Sequence, residues 1–205
     1  EDVLTITPDA NYNGLIFVAV TVSDGELTDQ TGFTLTVNSV NDAPSIDSLA
    51  DESIDEDGSL TVELSGSDID GDDLTFSASV DGNASVDITE DVLTITPDAN
   101  YNGLIFVSVT VSDGELTDQT SFTVTVDPVN DAPFVSDPID DVEVDEDSDD
   151  VVIDLSNVFS DIDGDFLTYS ASVDGNGSVS VDGTTLTLAP DENYNGLIFV
   201  TVSVS

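Results

Sequence analysis

From Leu60 onward, apolar and polar residues alternate with the two-residue period of a half-buried strand. Leu60, Val62 and Leu64 alternate with Thr61 and Glu63, then Leu74, Phe76, Ala78 and Val80 with Thr75, Ser77 and Ser79. Val86 and Ile88, Leu93 and Ile95, the long run over residues 104–111, and Phe122, Val124 and Val126 continue the series. Turn signals separate these runs: Asp81-Gly82-Asn83, Asn102-Gly103 and Asp113-Gly114. No stretch has helical periodicity. With an edge strand over residues 45–54, the pattern predicts about seven strands in an all-β, Ig-like sandwich of antiparallel sheets.

The pattern repeats. E-D-V-L-T-I-T-P-D-A-N-Y-N-G-L-I-F-V begins at Glu1 and again at Glu90, a spacing of 89 residues. Residues 1–38 and 90–127 differ only at Ala19/Ser108, Gly32/Ser121, Leu35/Val124 and Asn38/Asp127. A more divergent third copy starts at Leu186, V-N-D-A-P occurs at 40–44 and 129–133, and D-I-D-G-D at 68–72 and 161–165. The unit is therefore about 90 residues long, and the expected division is the later part of one repeat in 1–40, a complete repeat in 41–129 and a repeat lacking its last strand in 130–205. The chain reads as a segment of a longer array.

Two recurring features invite a functional reading but are explained by turns. Tyr12, Tyr101 and Tyr194 each stand two residues before a Gly that opens the longest strand. They read as tyrosine-corner plugs bonded to backbone, not as carbohydrate-stacking rings. Asn83-Ala84-Ser85 and Asn176-Gly177-Ser178 are formal glycosylation sequons that read as hairpin turns.

Composition narrows the chemistry. Among 205 residues there is no Lys, Arg, His, Cys, Met or Trp, against 45 Asp plus Glu, so the formal charge is -45. Nothing can neutralise a phosphate backbone or dock on an anionic membrane surface, which excludes nucleic acid and direct membrane attachment as partners. No apolar run reaches the ~18 residues needed for a membrane span. Triads, thiolates, Schiff bases and imidazole metal sites are excluded by residue inventory. The only catalysis left is a two-carboxylate mechanism of the glycosidase kind, with no cleft insertion to house it, and the chain reads as non-enzymatic. At 39% hydrophobic residues, dominated by patterned Val, Ile, Leu and Phe, it is nonetheless a folding sequence.

The acids gather where one unit meets the next. At the first junction these are Asn41 and Asp42 in the connector, Asp68, Asp70 and Asp72 in a Gly-containing loop, and Asp113 after the long strand. The second junction offers Asp127, Asn130, Asp131, Asp161, Asp163 and Asp165, with Glu56 in D-E-D-G of the preceding unit. At ~4 Å, a like-charge pair costs about 4 kcal/mol at an effective dielectric of 20, so such a cluster calls for a cation. Carboxylate, amide and carbonyl oxygens are the ligands of calcium, which takes six to eight of them; magnesium retains its water, and zinc and copper want softer donors. The loop is not an EF-hand: counted from Asp68, Gly71 is fourth and Ser79 twelfth. Scattered acids such as Glu115, Asp118 and Asp149 read as a solvated surface.

Together, V-N-D-A-P, D-E-D-G, D-I-D-G-D-D-L-T-F-S and V-S-D-G closely resemble the cadherin-like tandem repeats of giant secreted bacterial adhesins, and more distantly animal cadherins. The resemblance implies calcium ions in each inter-repeat linker that stiffen the array. It assigns Glu56 to the junction after its own unit, Asn41, Asp42, Asn130 and Asp131 to the connector, and Asp68, Asp70, Asp161 and Asp163 to the Asp-x-Asp of the following unit. Asp24 and Asp113 match the Asp after the long strand. Where animal cadherins carry Asp-Arg-Glu this chain reads T-P-D-A-N, leaving Asp9 and Asp98 at that position. The expected function is a structural segment of an extracellular, calcium-stiffened repeat fibre or adhesin shaft, with neighbouring repeats and other fibre copies as partners. The alternative is a glycan- or protein-binding module of a surface adhesin.

Overall fold

The alternating runs form strands in the computed structural model, which describes residues 2–205; Glu1, where the first repeat copy opens, lies outside them. Among the described residues there is no helix. The chain divides into two units, Glu1–Pro128 and Val129–Ser205, taken in turn.

The first unit opens with a hairpin of two ten-residue strands, β1 (Gly14–Ser23) and β2 (Thr28–Val37), paired from Gly14 opposite Val37 to Ser23 opposite Thr28. Nine segments follow: β3 (Ser45–Ile46), β4 (Glu52–Asp55), β5 (Leu60–Glu63), β6 (Gly66–Ser67), β7 (Thr75–Val80), β8 (Ala84–Thr89), β9 (Val92–Pro97), β10 (Gly103–Ser112) and β11 (Thr117–Asp127). They build one sheet in the order β4-β11-β10-β7, a second in the order β5-β9-β8, and the short pair β3-β6. The inward rows meet in one core: Ile105, Val107, Val109, Phe122, Val124 and Val126 from the first sheet, Leu93 and Ile95 from the second, with Leu64. This is the sandwich that period-two patterning on both sheets requires.

The expectation of wholly antiparallel sheets and a single edge strand is corrected at one place. The stretch 45–54 splits into two segments, β3 antiparallel to β6 and β4 parallel to β11. The chain changes sheets between them while keeping its direction, so β4 runs alongside β11. Side chains hold the crossing: Asp118 Oδ2 accepts the Ile46 N–H at 3.1 Å and Asp51 Oδ1 accepts the Thr123 N–H at 2.7 Å. Asp118 is thus not the solvated surface acid its position in the sequence suggests. The two N–H groups bonded to it, Ile46 first and then Gln119, hold its carboxyl below the usual 3.8.

The tyrosines act as plugs. The hydroxyls of Tyr12, Tyr101 and Tyr194 donate to the carbonyls of Leu15, Leu104 and Leu197 at 2.9, 2.9 and 3.0 Å. Gly103 has φ +138°, and a Cβ there would lie 2.9 Å from the Tyr101 hydroxyl, which explains why a glycine follows each tyrosine. Asn83 and Asn176 occupy left-handed turn positions, φ 57° and 61°, as the hairpin reading of the sequons expects.

The second unit is smaller. Its segments are β12 (Phe134–Val135), β13 (Val151–Asp154), β14 (Phe159–Ser160), β15 (Tyr169–Val173), β16 (Gly177–Asp182), β17 (Thr185–Pro190) and β18 (Val200–Val204). They pair as β13-β17-β16, β15-β18 and β12-β14 around Leu155, Val158 and Leu186.

Phe122 in β11 is 4% exposed, covered by the sheet β5-β9-β8. Phe122→Ala is expected to cost about 3–5 kcal/mol, read by urea unfolding under circular dichroism. Tyr101→Phe, which removes one hydroxyl bond and leaves the ring, should cost about 1 kcal/mol in the same assay.

Candidate metal centre

Three segments of the first unit converge: the connector between β2 and β3, the loop between β6 and β7, and the turn between β10 and β11. The connector carries Asn41 and Asp42, both half-buried, ahead of the buried Pro44 that fixes its exit. Asn41 Nδ2 donates to Asp113 Oδ2 at 2.8 Å, and the Asp42 N–H donates to Asp70 Oδ2 at 2.8 Å. Two residues of the connector are thereby tied to acids from two different loops.

The loop between β6 and β7 is organised by Asp68. Its Oδ1 accepts N–H groups from Asp70 at 2.8 Å, Gly71 at 3.0 Å and Asp72 at 3.4 Å. Gly71, at φ +82°, provides the left-handed step that lets the chain wrap around one oxygen. The other oxygen, Asp68 Oδ2, is buried and receives no hydrogen bond from the described residues. Carboxylate oxygens of Asp68, Asp70 and Asp72 all lie within 4.8 Å of one another. An anionic oxygen withdrawn from water and given no donor is costly unless a cation meets it.

Asp113 is likewise held by backbone N–H groups, but both its oxygens have donors. Its Oδ1 accepts the Glu115 and Leu116 N–H groups, both at 2.7 Å, while Oδ2 takes the Asn41 amide. The Leu116 bond, then the Glu115 bond, hold this carboxyl below the usual 3.8, so it is ionised at neutral and mildly acidic pH. The carboxylate oxygens gathered here are hard ligands of the kind calcium takes, while the N–H groups hold those carboxylates in place.

The second unit repeats the loop. Asp161 Oδ1 accepts the N–H groups of Asp163 at 3.0 Å and Asp165 at 3.3 Å, and the Asp131 N–H donates to Asp163 Oδ2 at 2.7 Å. Here the connector amide turns elsewhere: Asn130 Nδ2 donates to the Asp131 carbonyl at 2.9 Å.

The remaining sequence candidates are placed as follows. Glu56 is buried, and its N–H donates to the Asp127 carbonyl at 2.9 Å, closing the end of the β4-β11 pair; Asp127 itself is exposed. Asp24 accepts the Glu26 and Leu27 N–H groups at 2.9 and 2.8 Å and forms the same turn as Asp113. The Leu27 bond, then the Glu26 bond, lower its pKa. Asp9 and Asp98 are exposed, and their carbonyls accept the Tyr12 and Tyr101 N–H groups at 3.2 and 3.0 Å, a backbone role in the tyrosine turn. Sequence reasoning did not single out Asp51 as a structural acid, because only the sheet crossing reveals the N–H it meets.

Residues 40–127 match the Cadherin-like domain family, and residues 130–205 match the Bacterial Ig domain family. No curated protein is significantly similar to the chain. Among solved structures, human Protocadherin-24 EC1-2 is similar over 81% of this chain and 94% of its own, with 18% identity and a TM-score of 0.42. Drosophila N-cadherin EC1-3 is similar over 59% of this chain and 45% of its own, with 9% identity and a TM-score of 0.37. An endo-fucoidan hydrolase of glycoside hydrolase family 107 is similar over 97% of this chain, with 18% identity and a TM-score of 0.37; the chain spans about a third (34%) of its length. Cadherin-like and bacterial Ig domains are typical of surface proteins, and no helix among the described residues is long and apolar enough to cross a membrane. The chain thus carries a segment similar to a cadherin-like domain, residues 40–127, followed by one similar to a bacterial Ig domain, residues 130–205.

Proposed function

We propose that this chain is a structural segment of an extracellular adhesin or surface fibre whose repeats, 41–129 and 130–205 among them, are held rigid by calcium. Asp68 carries the reading: one carboxylate oxygen takes three backbone N–H groups, and the other is buried without a donor. Asp70, Asp72, Asn41, Asp42 and Asp113 supply the oxygens beside it in the first repeat, and Asp161, Asp163, Asp165, Asn130 and Asp131 do so in the next. Glu56 and Asp127 are candidates from the preceding repeat, as Asp24 is further upstream.

The mechanism is mass action. A site formed only in the folded chain stabilises it by about 1.4 kcal/mol when calcium stands tenfold above its dissociation constant. Extracellular modules bind at ~10⁻⁴–10⁻³ M, so these repeats are firm where calcium is millimolar and slack where it is scarce. Stiffness follows from the connector, because Asn41 and Asp42 are already bonded to the acids that would hold the ion. With no basic residue present, the repeats carry no internal counter-charge that could replace it.

The chain is expected to melt several degrees lower in excess chelator than in millimolar calcium, with magnesium giving only a fraction of the gain. Equal melting temperatures in calcium and chelator would defeat the reading. Asp68→Asn is expected to weaken calcium binding at least tenfold by titration calorimetry, whereas Glu115→Gln, on the exposed turn, should leave it within about twofold.

A further inference from the structure

The outer face of the sheet β4-β11-β10-β7 holds a shallow cleft of about 430 Å³, within the range of small-ligand sites. Phe106 stands in it with 56% of its surface exposed, although its neighbours Ile105 and Val107 are buried. Around the ring lie the hydroxyl-bearing residues Ser79, Ser108, Ser121 and Thr123, and the acids Asp51 and Asp81.

Both acids are held in place by the backbone. Strand β7 ends at Val80, and Asp81 Oδ1 takes over the next N–H, that of Phe106, at 3.0 Å. Strand β4 begins only at Glu52, and Asp51 Oδ1 meets the Thr123 N–H at 2.7 Å. Phe106 and Thr123 face each other across β10 and β11. Among the described residues none donates a hydrogen bond to the second oxygen of either carboxylate, which remains an acceptor.

We propose that this cleft is a saccharide subsite for neutral pyranose sugars. A pyranose has an apolar C–H face, which suits an exposed aromatic ring, and an edge of hydroxyls, which suits fixed carboxylate and hydroxyl acceptors. Charge selects the class: a chain of -45 without one basic residue repels uronates and sulfated glycans. One half of the arrangement recurs in the second unit, where Asp174 Oδ1 accepts the Phe199 N–H at 3.0 Å and Phe199 is likewise exposed. Repeated weak subsites along an array gain avidity for a long glycan without being strong singly. This activity is independent of the calcium reading, and calcium is held constant in its test.

The test is a titration of the whole chain with neutral hexasaccharides of glucose, galactose, mannose, xylose and N-acetylglucosamine, followed by NMR at Phe106, Ser108, Phe199 and Thr201. At least one should bind with a dissociation constant on the order of 1 mM per subsite. Phe106→Ala should weaken binding at the first subsite at least tenfold and leave the Phe199 response unchanged, and Phe106→Tyr should restore it. Silence of both subsites towards every hexasaccharide overturns the proposal, as does wild-type affinity in a folded Phe106→Ala variant. A response to sulfated or uronate glycans alone also overturns it.

Discussion

Mutual repulsion among 45 carboxylates, with no cation anywhere in the chain, is the constraint on which the rest of the structure depends. Ordinary proteins disperse such charge with lysine and arginine. Here each acid that is not simply solvated must find a backbone N–H or an external ion. The backbone route is used throughout: Asp24, Asp51, Asp81, Asp113, Asp118, Asp154 and Asp174 each accept main-chain N–H groups where a strand ends or the chain turns. Acids that elsewhere would be surface decoration therefore help define the turns of the sandwich.

That solution is saturated around the connector. Asp68 takes three N–H groups on one oxygen and none on the other, while Asp70 and Asp72 lie beside it. Among the described residues no donor reaches the second Asp68 oxygen, and that is where an ion from outside would act. In the calcium reading proposed above, folding is coupled to the medium: the apolar core provides most of the cohesion, and the ion decides whether the charged end of each repeat is compatible with it.

Much of this was legible in the sequence, and the failures are instructive. Strict alternation in runs such as Leu60 to Leu64 gave the strand positions because both sheets bury one face, and the Tyr-x-Gly spacing announced the plug. Aspartates flanking Gly71 and Gly164 announced the loops that gather acids. What could not be read was pairing direction and sheet crossing. Residues 45–54 look like one edge strand, yet they divide between β6 and β11, since local pattern does not encode which sheet a strand joins. The roles of Asp51 and Asp118 follow from that crossing and were hidden for the same reason.

The measurement that bears most directly on the central claim is a calcium titration followed by amide NMR of the whole chain. The N–H signals of Asp42, Asp70, Gly71 and Asp72, which report on the carboxylates of Asp68 and Asp70, should move in a saturable way, with Asp161 to Asp165 following in the second unit. Signals of distant acids such as Asp87 should stay put. Small, non-saturating shifts spread evenly over all acidic positions would mean that calcium merely screens a charged surface, and would contradict the account.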